Sequence, residues 1–175
     1  MRLKQNLTSL LGNIKSQQRA IQLKKEVAMA VSVLSAAKRV AQRSGWSLSN
    51  LELQKIIYLA HMFYLGRTGQ PLVRGHFEAW DYGPVHPDLY RVARIFGRNK
   101  VGDVFHSAPD LPSGPERQIL DEAFDNIGDA GAGRLVNATH RPGGAWERNY
   151  KPGERHCIIP TAHILEEYQG LGNAG

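Results

Sequence analysis

Apolar residues recur at helical spacing along most of the chain, and this pattern predicts a mainly α-helical protein. The helical stretches cover about residues 28–42, 50–66, 87–96, 115–127, 132–138 and 161–168. Residues 76–80 instead alternate between polar and apolar side chains, which is typical of a short strand. We therefore expect a single compact helical domain of five to six helices, with a small β-hairpin near residues 72–80.

The second helix carries the clearest local signals. Ser49 and Glu52 have the spacing of a capping box, in which each side chain satisfies a backbone N–H of the other residue. A wide apolar stripe follows, and its spacing places Gln54 and Lys55 on the polar side of the helix. The residues of this stripe are Leu53, Ile56, Ile57, Ala60 and Tyr64. By contrast, residues 82–85 are expected to form a turn, and residues 141–157 have no regular pattern.

Length and composition favour one domain. The 175 residues are 42% hydrophobic, which suffices for one core and scarcely for two. No apolar run reaches the roughly 20 residues that span a bilayer, and the first residues lack the apolar block of a secretory signal. The single cysteine, Cys157, excludes an internal disulfide and fits a reducing cytoplasm. We expect a cytoplasmic protein with its domain at residues 29–169 and a flexible tail at residues 170–175.

The positive charge of the chain is concentrated at its N-terminus. The formal net charge is +6, and residues 1–28 contain six basic residues and one acidic residue, a net charge of +5. The remaining residues contain 16 basic and 15 acidic side chains and are almost neutral. Phosphate binding needs clustered cations, so nucleic-acid binding by the body of the protein is disfavoured. A DNA-binding autorepressor that uses the basic arm is the alternative.

No arrangement of catalytic or metal-binding residues stands out. The seven histidines include no pair at the helical spacing used by zinc sites. The chain also lacks a P-loop, a nucleophile elbow and a dinucleotide-binding glycine motif. A hydrolase that uses His140 and Cys157 is the less favoured alternative, since a buried structural thiol is the more common role of a lone cysteine. We predict no enzyme activity, no metal and no cofactor.

The most informative stretch is an aromatic loop. Trp80, Tyr82 and Tyr90 surround a Gly83-Pro84 turn, and large aromatics are favoured in protein interfaces because they offer area at low entropic cost. For Trp80 and Tyr90 taken singly, a core position is the favoured interpretation, since large aromatics are mostly buried. Exposure and partner contact are expected at the turn itself, where a histidine would make binding sensitive to pH. The predicted partner-binding residues are Trp80, Asp81, Tyr82, Gly83, Pro84, Val85 and His86.

Two blocks of the chain resemble the signature of a known family. LQKIIYLA at residues 53–60 is similar to the L-Q-K-hydrophobic-hydrophobic-Y signature of the Panacea domain of SocA-like antitoxins, and EAWDYGPV at residues 78–85 is similar to its E-A-W-x-Y-G-P-V block. Phe96-Gly97 and Trp146 resemble later elements, although Ala145 stands where the family has proline before the tryptophan. The resemblance covers about residues 31–168.

The resemblance implies a bacterial antitoxin of a type II-like toxin–antitoxin system. The implied partner is a cognate toxin from the adjacent gene, which the antitoxin occludes or delivers to a ClpXP-like protease. A protease would need a second surface, either the basic N-terminal arm or the C-terminal tail. Lys55 either fixes the aromatic loop by pairing near Trp80 or Tyr82, or lies in solvent on its helix. The matching residues expected to support the loop are Gln54, Lys55, Tyr58, Tyr90, Thr139, His140 and Trp146.

Residues 1–28 fall outside the resemblance and leave three interpretations open. Their apolar spacing suits an amphipathic helix that binds a partner or a membrane surface, although Gly12 and Asn13 interrupt it. They also suit a disordered arm. Alternatively, Met29 is the natural start, because residues 25–29 can be encoded by AAG-GAG-GTN-GCN-ATG, which contains a bacterial ribosome-binding sequence. A peptide from residues 1–15 of the endogenous protein would contradict the last interpretation.

Overall fold

The structure, a computed structural model, describes residues 17–18 and 30–172. Residues 1–28, for which three interpretations were given, lie almost entirely outside the described residues. Residues 173–175 of the expected tail lie outside them as well. From Val31 onward the chain forms one compact unit. The final helix continues to Leu171, so residues 170 and 171 belong to a helix and not to the tail.

The described residues contain seven α-helices and a three-stranded antiparallel sheet. The mainly helical fold with a small hairpin is therefore confirmed. The helices are α1 (Val33–Arg43), α2 (Asn50–Thr68), α3 (Pro87–Ala93), α4 (Pro115–Ile127), α5 (Ala132–Thr139), α6 (Ala145–Asn149) and α7 (Thr161–Leu171). The strands are β1 (Phe77–Trp80), β2 (Gly83–Val85) and β3 (Ile158–Ile159), in the order β2-β1-β3. A 3-10 turn at Arg94–Phe96 extends α3.

Two elements lie where the sequence pattern predicted none. Helix α6 occupies part of the stretch expected to be irregular, and β3 adds a third strand to the hairpin through Ile159, which pairs with Phe77. Each is very short, five residues in α6 and two in β3. Elements of this length show hardly any periodicity, so they form only because the surrounding structure pairs or buries them.

Helix α1 begins later than predicted. Ser32 is its N-cap, with the serine Oγ accepting the N–H of Leu34 at 3.2 Å. Val31, expected inside the helix, instead forms a parallel bridge to Val73. Its N–H donates to the carbonyl of Leu72 at 2.9 Å, and this pairing holds the backbone extended. A serine that can cap a helix marks the true start better than the apolar spacing does.

Helix α2 lies at the centre of the fold. The predicted capping box is present, with the Ser49 N–H donating to Glu52 at 2.8 Å, and Gly69 ends the helix in the left-handed conformation. Helices α1, α4, α5 and α7 and strand β2 all pack against α2. Gln54 and Lys55 are consequently buried, at 2% and 1% exposed. The expectation that Gln54 and Lys55 lie on a polar, solvated side of this helix is therefore wrong, because neighbouring elements cover the face that carries them.

The basic end of α1 is bound to acidic residues elsewhere in the unit. Arg39 donates to Asp121 of α4 at 2.6 Å and 2.7 Å, and Arg43 donates to Asp125 in the same bidentate way. Lys38 lies 2.9 Å from Asp110. These cations thus join α1 to α4 and the preceding loop. Of the described helices, none is both long and apolar enough to cross a membrane.

Candidate partner-binding site

Strands β1 and β2 form a tight hairpin whose turn consists of Asp81 and Tyr82. Trp80 lies opposite Gly83 in the antiparallel register, and the φ of +100° at Gly83 suits a glycine immediately after the turn. Residues 83–85, expected as part of a turn, are strand β2 instead. Because only two residues connect the strands, pairing resumes at Gly83, and residues 83–85 lie in the sheet and not in a loop.

Side chains of α2 close the outer edge of β2. The amide oxygen of Gln54 accepts the His86 N–H at 2.8 Å, and its amide nitrogen donates to the His86 carbonyl at 3.3 Å. Lys55 Nζ donates to the carbonyl oxygen of Pro84 at 2.9 Å. Residues of the first signature block, LQKIIYLA, thus form hydrogen bonds with the backbone at the end of the second block, EAWDYGPV, and at the residue that follows it. Lys55 does fix the loop, but through a backbone carbonyl and not through Trp80 or Tyr82.

Lys55 is a buried amine without a carboxylate partner among the described residues. Burial lowers the pKa of Lys55 to about 7, because the charged form is poorly solvated there. Burial, followed by the charge of Lys55, also lowers the pKa of His140. A neutral amine can still donate to Pro84, so the contact persists in either charge state.

Gly83 is the point at which three of the signature elements meet. A Cβ at this position would lie 2.8 Å from Lys55 Cε, 2.9 Å from Thr139 Oγ1 and 3.1 Å from His140 Nε2. Such distances are shorter than ordinary van der Waals contact. Glycine is therefore required here for space as well as for its positive φ. Thr139 and His140 support the hairpin by packing against its backbone.

A stack of three rings supports the turn from α5 and α6. His140 stacks on Trp146 with 3.6 Å between ring centroids, and Trp146 stacks on Tyr150 at 4.6 Å. Trp146 Nε1 donates to the Trp80 carbonyl at 2.8 Å, and the Tyr150 hydroxyl donates to Asp81 at 2.9 Å. Sequence reasoning missed Tyr150. Its position four residues after Trp146 was the signal that could have found it, because residues four apart are neighbours on a helical turn; Tyr150 directly follows the last residue of α6.

Tyr58 supports the site from further away. Its hydroxyl donates to Glu167 of α7 at 3.0 Å, and the same carboxylate oxygen accepts the N–H of Ala145 at 3.0 Å. Burial raises the pKa of Tyr58, and the neighbouring Glu167 charge adds to this effect. The signature tyrosine thus holds the start of α6, on which Trp146 lies.

His86 does not lie on the surface as expected. It is 1% exposed, its Nε2 lies 2.8 Å from the Arg74 carbonyl, and its ring meets the Phe77 ring edge-on. Burial lowers the pKa of His86, despite the hydrogen bond to Arg74. Gly83, Pro84 and Val85 are buried as well, so the expected exposure of Gly83 and His86 is wrong. The pairing of β2 with α2 covers these residues, and of the four only Val85 borders the adjacent cleft.

A buried carboxylate anchors the other side of the hairpin. Glu78 accepts from Trp80 Nε1 at 2.8 Å and lies 3.3 Å from His76 and 3.2 Å from His156. Burial raises the pKa of Glu78, but these hydrogen bonds outweigh it and hold the pKa below its ordinary value. Across residues 30–172, no group of three or more His, Cys, Asp or Glu residues is placed to hold a metal ion.

The turn of the hairpin borders an open cleft, which we name the hairpin groove. The Tyr82 side chain is 67% exposed at its rim, and the half-buried rings of Trp80 and Tyr90 meet there with centroids 4.7 Å apart. The groove has a volume of about 600 Å³. It lies between the start of α2, the hairpin, the segment after α3 and residues 154–155; its main lining residues are Asn50, Lys55, Trp80, Tyr82, Tyr90, Arg98 and Arg155.

The region that carries this site matches a known family. The model of the family described as "Antitoxin SocA-like, Panacea domain" matches residues 53–147, which is more than half of the chain. The chain belongs to this SocA-like, Panacea-domain family. The matched region begins at Leu53 in α2 and ends at Glu147 in α6, so it includes both blocks of the hairpin support and Trp146.

A curated relative agrees with the family assignment. The chain is 37% identical over 110 residues to Antitoxin SocA of Caulobacter vibrioides (strain NA1000 / CB15N). The alignment covers 57% of this chain and 58% of that relative, so the similarity spans little more than half of either protein. No solved structure matches the chain.

Proposed function

We propose that this protein is an antitoxin, which binds and neutralises a protein toxin encoded by the adjacent gene. The observation that carries the proposal is the exposed Tyr82 on a hairpin turn whose neighbours are all held in place. A loop that is ordered before binding loses less entropy when the partner docks. The similarity to Antitoxin SocA supports the role itself, and we assign the contact surface to Trp80, Asp81 and Tyr82.

Binding without catalysis fits the surroundings of the candidate catalytic residues. His140 stacks on Trp146 and packs against Gly83, whereas the Cys157 thiol lies 3.6 Å from Glu154. The Cys157 thiol therefore has a carboxylate and not His140 as its hydrogen-bond partner, and the described contacts of His140 do not include the thiol. The ion pairs of α1 likewise argue against DNA binding by the body of the protein, because Arg39 and Arg43 are already engaged by carboxylates.

In its finer form, the proposal includes delivery of the bound toxin to a ClpXP-like protease. The hairpin would then hold the toxin, and a separate surface would contact the protease. The half-life of the toxin distinguishes the two modes. A shorter half-life in the presence of the antitoxin indicates delivery, whereas rescue of growth at unchanged half-life indicates occlusion.

The test is growth of cells that express the adjacent gene, with and without this protein. We expect rescue by the wild-type chain and loss of rescue by Tyr82→Ala. Ile158→Ala is the matched control, because Ile158 is 55% exposed in the same sheet but does not line the hairpin groove. A harmless adjacent gene product would contradict the proposed function, and rescue by Tyr82→Ala equal to that of the wild type would move the contact surface away from the turn.

A further inference from the structure

The hairpin groove contains an acceptor that no described group fills. The side-chain Oδ1 of Asn50 is buried and makes no hydrogen bond within the described part of the chain, and the residue is 7% exposed. Asn50 is the first residue of α2 and lines the groove. A buried acceptor left without a donor destabilises the protein, because it loses the hydrogen bonds that water would give it. This oxygen is therefore suited to an N–H from a bound molecule, such as a peptide backbone.

The amine at the base of the groove has unused donors as well. The Pro84 carbonyl is the hydrogen-bond partner of Lys55 Nζ in the structure, and a charged amine has three N–H groups. A carboxylate brought into the groove would accept from this amine and compensate its charge. Such a contact favours the charged form of Lys55, which burial alone disfavours.

Two arginines extend this positive surface to the rim. Arg98 and Arg155 both line the groove and are exposed, and neither forms an ion pair with a described residue. The Arg155 guanidinium lies 6.0 Å from the centre of the Trp80 ring. An unpaired arginine next to an aromatic ring presents a fork-shaped donor set that fits a carboxylate.

The acidic residues of the groove are already engaged. Asp81 accepts from the Tyr150 hydroxyl, and Glu154 lies 3.4 Å from Lys151 and also accepts from the Cys157 thiol. The groove is thus lined by three basic residues and two acidic ones, and one of the acids, Glu154, is paired with Lys151. Beside them, the Trp80 and Tyr90 rings offer an apolar wall.

We propose that the hairpin groove binds an extended acidic segment of the toxin. An aspartate or glutamate of this segment contacts Lys55 and the two arginines, its backbone N–H fills Asn50 Oδ1, and an adjacent apolar side chain packs on Trp80. The inference rests on the proposed function and goes beyond it by naming the chemistry of the bound segment. Charge complementarity at the rim of an interface chiefly raises the association rate and makes binding dependent on salt.

The test compares charge-reversal variants in binding to the purified product of the adjacent gene. We expect Arg98→Glu combined with Arg155→Glu to weaken binding at least about tenfold and to reduce its salt dependence. Arg134→Glu is the matched control: Arg134 is exposed on α5, forms no ion pair with a described residue and does not line the groove. It should change affinity by less than about twofold. All three arginines are exposed, so thermal unfolding should show that every variant folds.

A second measurement identifies the bound segment. Overlapping 15-residue peptides that cover the adjacent gene product are titrated against the wild-type antitoxin. We expect the binding peptides to share an acidic residue next to an apolar one. Replacement of that acid by lysine should abolish binding to the wild type and restore it to the variant carrying Arg98→Glu and Arg155→Glu.

The outcomes separate the inference from the function on which it rests. If the full-length adjacent product fails to bind the wild type, the proposed function fails. If it binds wild type and the double variant equally, or if the binding peptides lack acids, only the acidic-segment inference is overturned. A self-association that the double variant abolishes, measured by sedimentation of the antitoxin alone, would overturn it too, because the groove would then serve a second copy of this chain.

Discussion

The turn of the hairpin and its second strand lie side by side in the sequence but have opposite surroundings. Tyr82 is 67% exposed, whereas Val85 and His86 are 7% and 1% exposed. The strand is held by Gln54 and Lys55, and the turn by Trp146 and Tyr150. One continuous signature block therefore contains residues that maintain the fold and residues that are free to contact a partner.

This difference limits what a shared signature says about binding. The backbone of Pro84 and His86 is hydrogen-bonded by α2, and residues 83–86 fill the space against that helix, so disruption of this strand should be detected as lost stability. The Tyr82 side chain on the turn is mostly exposed, so its replacement should be detected as lost affinity for the partner. Four predictions test this division, from the largest expected effect on stability to the smallest.

Gly83→Ala should cause the largest loss. The added Cβ meets Lys55 and Thr139, and the φ of +100° is unfavourable for alanine, so we expect the free energy of unfolding to fall by roughly 3–4 kcal/mol. Gly143→Ala is the control, because its φ is +72° and a Cβ there meets nothing within 4 Å. It should lose only about 1 kcal/mol. Urea unfolding measures both, and equal losses would show that the close approach at Gly83 contributes nothing.

Gln54→Leu should cause the next largest loss. It leaves the buried N–H of His86 without a partner, whereas the His86 carbonyl keeps the Tyr90 N–H at 3.0 Å, so the loss should be roughly 2 kcal/mol in urea unfolding. Gln118→Leu provides the comparison, because the Gln118 amide hydrogen bond to Glu122 is exposed. Its change should stay within about 0.5 kcal/mol. Hydrogen exchange at the His86 amide should become faster in Gln54→Leu. An unchanged exchange rate would argue against the hydrogen bond between the His86 N–H and Gln54.

Lys55→Met should change how stability depends on pH. The pKa of Lys55 is about 7 in the folded protein and 10.5 ordinarily, so between these values the unfolded chain binds the extra proton. Stability from this group therefore rises with pH. From pH 7 to about pH 8.5, the wild type should gain roughly 1.5 kcal/mol relative to the variant in urea unfolding. A constant difference across this range would mean that the folded amine keeps its ordinary pKa.

Tyr82→Ala should have the smallest effect on folding. The ring is mostly exposed and the turn is held by other residues, so the free energy of unfolding should change by less than about 0.5 kcal/mol. A loss above about 2 kcal/mol in the same urea assay would show that the turn is part of the structural support. The distinction between a strand that maintains the fold and a turn that contacts the partner would then fail.

The sequence alone predicted the local features well. The helical periodicity, the capping box at Ser49 and Glu52, and the alternation at residues 76–80 each depend on residues close together in the chain. The family resemblance depended on two short blocks in the same way. The short elements were the main failures: α6 and β3 have too few residues to show a period, and both are stabilised by partners distant in sequence.

What the sequence determined by itself is the helical fold, the hairpin and the family, because these follow from spacing and from short signatures. The tertiary structure alone decided which faces are buried. The spacing of α2 shows one apolar stripe, but it cannot show that other elements cover the remaining faces and bury Gln54 and Lys55. Nor could it place Tyr150 beneath Asp81, a contact between residues 69 positions apart. The burial of a helix face depends on every element that packs against the helix, whereas the apolar spacing in the sequence reveals only the face with the apolar stripe.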